Sequence, residues 1–211
     1  VVQSALTFSL CEGEMVCMLG PNGCGKSTLL RTLAGLQPPL GGTYRLLGVS
    51  SEKAGESNAE RAKHLALVLT ERLSLEHTTV HDVVAMGRYP YSSFLGGLSA
   101  DDEAVIADAL QQVGLQDMAD TYFNNHSDGE KQRILIAKAL AQQTPVILLD
   151  EPTAHLDLPN RIRTLQLLRH LAHEQGKTIL ISTHELDLAL QLSDRILLMS
   201  DEGIQLDTAQ A

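Results

Sequence analysis

The sequence predicts an α/β fold in which a mostly parallel sheet is flanked by helices and a helical subdomain is inserted into it. Three observations predict this. Short apolar runs alternate with amphipathic stretches, a glycine-rich loop joins the first run to the first helix, and another apolar run ends in two acids. Met15-Val16-Cys17-Met18-Leu19 is the first strand, and the loop after it leads into a helix through Thr28–Leu33. The turn Pro38–Gly42 precedes a short strand at Thr43–Leu47. Residues 50–63 are polar, a loop leading into a helix, and Leu65–Leu69 is a buried strand. From Val80 to about Tyr122 the pattern is helical. Ser99-Ala100-Asp101-Asp102 forms a capping box there, and Val105, Ile106, Ala109, Leu110 and Val113 share one face. A further helix runs to about Gln142. The strand rhythm then resumes with Val146–Asp150, a helix over 159–175, Thr178–Thr183, a short helix from Glu185 to Leu192, and Arg195–Ser200. One domain spans 1–211, with a core of about 1–79 and 143–211 and a helical subdomain of about 80–142.

Composition narrows the function classes. The 211 residues are 44% hydrophobic, enough for one sizeable core. A net charge of −10 argues against a nucleic-acid surface, which needs a basic stripe to displace counterions. Apolar runs such as Val146–Leu149 are too short to span a bilayer, and no leader pattern opens the chain, so a soluble cytosolic protein is expected. Cys11, Cys17 and Cys24 lack C-x-x-C spacing, so free thiols are expected.

Gly20-Pro21-Asn22-Gly23-Cys24-Gly25-Lys26-Ser27 fits G-x-x-x-x-G-K-[ST], between a strand and a helix. The chemistry explains the residue types. Glycines let the backbone aim several N–H groups at one anion, and the helix adds the positive end of its dipole. The amides from Asn22 to Thr28 are expected to cradle phosphates, Lys26 to reach the β- and γ-phosphates, and Ser27 to ligate Mg²⁺, which makes this a phosphate-loop NTPase core that binds a nucleotide of a kind the loop alone does not name. In Val146-Ile147-Leu148-Leu149-Asp150-Glu151-Pro152, the strand holds carboxylates at the sheet edge where open α/β sheets bind ligands. Asp150 there is placed to hold Mg²⁺ through water, and Glu151 to take a proton from the water attacking the γ-phosphate.

Between these motifs lies Asn125-His126-Ser127-Asp128-Gly129-Glu130-Lys131-Gln132-Arg133, at a helix start. A phosphate loop, a helical insertion, this serine-glycine motif, the strand with Asp150-Glu151 and a strand ending in Thr183-His184, in that order, resemble the nucleotide-binding subunit of an ABC transporter over nearly the whole chain. The resemblance implies two copies packed head to tail, with the Ser127, Asp128, Gly129 and Glu130 segment of one closing over the γ-phosphate held by the other. It implies that Ala154-His155-Leu156-Asp157 crosses this interface with Asp157 as anchor. His184 matches the switch histidine that contacts the γ-phosphate and positions Glu151 and water. Permease subunits and, indirectly, a substrate-binding protein are the implied partners, at the cytoplasmic face of the membrane. Val80–Tyr91 resembles the start of the helical region in importers of iron-siderophore, haem and cobalamin type.

Departures from the family pattern carry their own expectations. The triplet reads Ser127-Asp128-Gly129, preceded by His126 where leucine is common, and Asp128 is expected to point away because its carboxylate would repel a phosphate. Val68-Leu69-Thr70-Glu71-Arg72 lacks the usual glutamine, so Thr70 or Glu71 takes its place. Other classes fit less well. A chromosome-type ATPase needs a long coiled coil, a translation-type relative two such domains, and a phosphate-loop kinase would lack the Ser127 motif and His184. A non-hydrolysing regulatory module is opposed by Glu151 and His184. The chain is expected to be trimmed at both ends, starting at Val1 too late to include the adenine-stacking aromatic, for which Phe8 lies too near the loop to substitute. Its ATP affinity is therefore expected to be weaker than the full-length protein's, and equal affinities by calorimetric titration would refute this.

Overall fold

A computed structural model describes residues 6–50, 58–69, 75–92, 97–200 and 203–208. Strand Met15–Leu19 (β1) leads through the glycine loop into helix Lys26–Leu33 (α1). Strands Arg45–Leu46 (β2) and Val49–Ser50 (β3) form a separate antiparallel hairpin. Helix Asn58–Arg61 (α2) precedes strand Leu65–Val68 (β4). Helix Val80–Ala85 (α3) continues as a 3₁₀ segment, Met86–Tyr91, followed by helices Ala100–Gln112 (α4) and Asp128–Ala141 (α5). Strand Val146–Asp150 (β5), helix Leu158–Gln175 (α6), strand Thr178–Ser182 (β6), helix Leu186–Leu192 (α7) and strands Arg195–Ser200 (β7) and Gly203–Thr208 (β8) complete it.

The main sheet has the order β4-β5-β6-β1-β7-β8, parallel except for β8, which pairs antiparallel with β7. The central strands are unbroken apolar runs because they are covered on both faces. Met15, Cys17, Ile147, Leu149, Ile179 and Ile181 face one layer, with Leu168 of α6 and Ile134 of α5 in the same apolar cluster. Val16, Met18, Leu148 and Leu180 face the other, with Leu30 of α1. Each such buried aliphatic side chain contributes about 1.5–3 kcal/mol. The helical stretch adds Val80, Val83, Ile106, Leu110 and Phe123 to the first cluster, so sheet and insertion share one apolar continuum.

Several elements differ from the sequence expectation. The strand expected over Thr43–Leu47 is cut to Arg45–Leu46, because Leu47 (φ 50) and Gly48 (φ 80) form the turn of the hairpin. β3 and β8 were not anticipated. The 80–122 stretch is interrupted by 3₁₀ segments at Met86–Tyr91 and Gln116–Met118, the first containing Pro90, which has no N–H to continue an α-helical ladder. Cys11, Cys17 and Cys24 are not in disulfides, and burial pushes the Cys17 thiol up to about 12. Among the described residues no helix is long and apolar enough to cross a membrane.

Arg88 ties the helical stretch together. Its Nε donates to Asp102 Oδ1 at 2.7 Å, and its Nη1 donates to the Ala141 carbonyl and to Gln143 Oε1, each at 2.8 Å. The Tyr91 ring stacks against the guanidinium at 4.2 Å. Asp102 also receives the Ser99 hydroxyl and amide at 2.7 and 2.9 Å, completing the expected capping box. These donors, the Ser99 hydroxyl first, hold the Asp102 carboxyl down to about 2. Because the folded value lies below the unfolded one, this stabilisation is present above about pH 4 and is lost as pH falls through about 2. The urea midpoint of the parent should therefore exceed that of Asp102→Asn at pH 5, with a gap that narrows on acidification toward pH 2. A gap independent of pH would contradict a depressed carboxyl.

Candidate active site

Parallel pairing brings the C-terminal ends of β5, β6 and β1 to one edge. Asp150 is paired in register with Ser182, and Ser182 with Met18, so the three lie side by side across about 10 Å. The acid pair, the Thr183-His184 end of β6 and the glycine loop after β1 thus meet at one rim.

In the loop, Gly20 lies against β7, where a Cβ would come within 2.6 Å of the Met199 carbonyl oxygen. Gly25 caps α1 at φ 104, a conformation that side chains disfavour. Cys24 is buried, Asn22 and Gly23 are exposed, and Ser27 and Thr28 are half-buried in the first turn of α1. Lys26 is buried, and its Nζ donates to the carbonyls of Gly20 and Pro21 at 2.7 and 3.1 Å. These bonds use two of the three ammonium donors.

Helix electrostatics separate α1 from its neighbours. Capping boxes close α3, α4 and α5, and Asp157 caps α6 by accepting from the Asn160 amide at 3.0 Å. α1 has neither a side-chain cap nor an acid in its first turn. Its leading amides and positive dipole end are thus set to receive an anion.

The acid pair is arranged around a residue that the motif reading did not single out. The buried Asp150 accepts the Ser182 hydroxyl at Oδ1, 2.6 Å away. The Glu151 amide donates to the Ser182 hydroxyl oxygen at 2.8 Å and to its carbonyl at 3.1 Å. Glu151 sits at φ 46, a left-handed conformation that costs a non-glycine residue about 1–2 kcal/mol. The exposed His184 places Nδ1 3.8 Å from Glu151 Oε2, an ion-pair distance when the ring is protonated. The following turn contains a second left-handed residue, His155, at φ 63. Arg161 of α6 bridges onward, donating from Nε to the Leu156 carbonyl at 2.6 Å and pairing through Nη1 with Glu185 at 3.1 Å. The loop carrying Asp157 is therefore joined to the residue after His184.

At the start of α5, Ser127 and Glu130 bond to each other. The Ser127 hydroxyl and amide donate to Glu130 Oε2 at 2.7 and 2.9 Å, and the Glu130 amide donates back to the hydroxyl at 3.4 Å. These bonds, with the Ser127 hydroxyl first, hold the Glu130 carboxyl below its ordinary range. His126 lies with Nδ1 3.6 Å from Glu130 and Nε2 2.7 Å from the Thr121 hydroxyl. Asp128 is exposed, and the buried Gly129 faces the Asn160 side chain, next to the Asp157 cap. Thr70 and Glu71 lie outside the described residues. Two further contributors had faint sequence signals: Ser182, a hydroxyl directly after the apolar run Ile179–Ile181, and Arg161, an arginine one turn into α6. The S-x-x-E spacing of Ser127 and Glu130 is itself a capping-box signal.

Comparison with known proteins adds the context of this site. The family model described as ABC transporter matches residues 4–154. The chain is 40% identical over 204 residues to the probable siderophore transport system ATP-binding protein YusV of Bacillus subtilis, covering 97% of this chain and 74% of that one. It superposes on an inward-facing conformation of a putative metal-chelate type ABC transporter with a TM-score of 0.84 at 32% identity, covering 97% of this chain and 76% of the other. It superposes equally well, TM-score 0.84 at 27% identity, on the dimeric post-hydrolysis structure of the ATP-binding cassette MJ0796 bound to ADP and Pi, covering 100% of this chain and 91% of that one.

The backbone strain at Glu151 has a measurable consequence. Replacing it by glycine removes the left-handed penalty, whereas alanine keeps it, so Glu151→Gly should be more stable than Glu151→Ala by about 1 kcal/mol in denaturant unfolding. At an ordinary position the order is reversed, and that order here would rule the strain out.

Proposed function

Since the chain belongs to the ABC transporter family of ATP-binding subunits, we propose that it binds and hydrolyses ATP to drive an importer of metal chelates, of siderophore type, through closure of a head-to-tail dimer. The observation that carries this is the meeting of the uncapped α1 loop with Asp150, Glu151 and His184 at one sheet edge.

Each residue has a task that follows from its setting. Gly20, Asn22, Gly23, Cys24, Gly25 and Thr28 supply the backbone that wraps the phosphates, with the α1 amides supplying donors. Lys26 keeps one ammonium proton beyond those given to Gly20 and Pro21, and this proton serves a phosphate oxygen. Ser27 and Asp150 fit Mg²⁺, whose hard oxygen shell needs few protein ligands when waters and substrate phosphates supply the rest. An ion held there would supply positive charge against the charge that develops on the transferred phosphoryl group.

Glu151 accepts a proton from the attacking water, and His184, paired with it at 3.8 Å, orients that water against the γ-phosphate. From the second copy, Ser127, the Gly129 amide and the α5 N-terminus cover the same phosphate, with Asp128 turned away and Glu130 holding Ser127 in place. Asp157 anchors the crossing loop, and Thr70 or Glu71 reports the nucleotide state to the permease. Segment 80–142 acts as the helical subdomain between core parts 1–79 and 143–211. The assembly sits peripherally at the cytoplasmic face of the membrane, with a substrate-binding protein delivering cargo. An ATPase assay of the full-length chain with its permease tests this. Glu151→Gln should lower turnover about 100-fold or more while keeping ATP binding and trapping a dimer in analytical ultracentrifugation, as removal of a general base requires. Unchanged turnover would show the base is elsewhere.

A further inference from the structure

Ser182 is fully buried in β6, among Ile179, Leu180 and Ile181, where a hydroxyl costs free energy unless its bonds are made. Both kinds of bond are made, and their direction is determined. The Glu151 amide can only donate, so it takes a lone pair of Ser182 Oγ at 2.8 Å. The one hydroxyl proton then points to Asp150 Oδ1 at 2.6 Å. One side chain thus grips the carboxylate of one acid and the backbone of the next, at the residue whose φ is 46. The register pair Asp150↔Ser182 is what brings them opposite each other.

We infer that Ser182 is a positioning residue for the acid pair, its hydroxyl fixing the Asp150 carboxylate and, through the Glu151 amide, the left-handed turn that presents the Glu151 side chain. The inference rests on the ATPase reading above and adds a residue to it. Fully buried behind the acid pair, Ser182 acts by removing freedom from the two groups to which the ATPase reading gives the ion and the attacking water. Loss of the hydroxyl leaves Asp150 Oδ1 without this donor and leaves the Glu151 amide only the Ser182 carbonyl at 3.1 Å.

The test uses the full-length chain with its permease and compares the parent with Ser182→Ala, Ser182→Cys and Ser182→Thr. Calorimetric titration with a non-hydrolysable ATP analogue, with and without Mg²⁺, gives the gain in affinity due to the ion, and steady-state assays give kcat. In Ser182→Ala the Mg²⁺-dependent gain should shrink and kcat should fall, each by about 10-fold, as loss of a hydrogen bond to a charged group requires, while Mg²⁺-free affinity stays within about 2-fold of the parent. Ser182→Thr, which keeps the hydroxyl, should recover most of both; Ser182→Cys, a weak donor of similar size, should fall between and covers the case in which alanine fails to fold. The inference is overturned if alanine or cysteine matches the parent in the Mg²⁺-dependent gain, or if affinity drops equally with and without the ion. A parent without turnover would sink the ATPase reading and leave the Mg²⁺-dependent gain to decide the role of Ser182.

Discussion

The register of three neighbouring parallel strands is the constraint on which the rest of the structure depends. Parallel pairing requires β5, β6 and β1 to end on the same side, and the in-register set Asp150, Ser182 and Met18 makes their ends level. A one-residue slip of β6 would turn Ser182 to the opposite face and replace its hydroxyl beside Asp150 with an apolar chain or with Thr183. The alternation of Ile179 and Ile181 on one face with Leu180 on the other opposes that slip, because both faces are packed. The chemistry at the rim is therefore held by core packing several residues away.

Electrostatics divide the helices by task. Thr79, Ser99, Ser127 and Asp157 each accept from one leading amide of α3, α4, α5 and α6, which closes part of the helix end and, in α5, leaves the Gly129 amide for the phosphate that the proposal places there. α1 begins on Gly25 with no such group, and the nearest charge is the buried Lys26, folded onto its own loop carbonyls. A carboxylate in that first turn would stabilise the helix and repel a phosphate; its absence favours the ligand over the isolated helix.

Local pattern carried most of the architecture. β1, β5, β6 and β7 were legible as apolar runs of strand length, and the glycine loop and acid pair as motifs whose chemistry requires those residue types. The hairpin was not, because Gly48 is the one turn-type residue of its turn, Leu47 is left-handed where leucine is disfavoured, and each strand is only two residues long. β8 alternates apolar Ile204 and Leu206 with Gln205 and Asp207, a weaker signal suited to an edge strand. At the site, the strain of Glu151, the double engagement of Ser182 and the Arg161–Glu185 pair all arise from pairing between distant segments. No window of neighbouring residues contains them.

The bridge from Arg161 to Glu185 bears on how two loops move. It links the stretch ending at Asp157 to the one beginning at His184, yet Arg161 is about one-third exposed, so in water the pair is worth at most about 1 kcal/mol. A tie of that strength acts as a bias rather than a lock. It makes the loops prefer to shift together, while thermal motion remains enough to part them, so anything that presses on one rim segment changes the odds for the other without having to break a rigid frame.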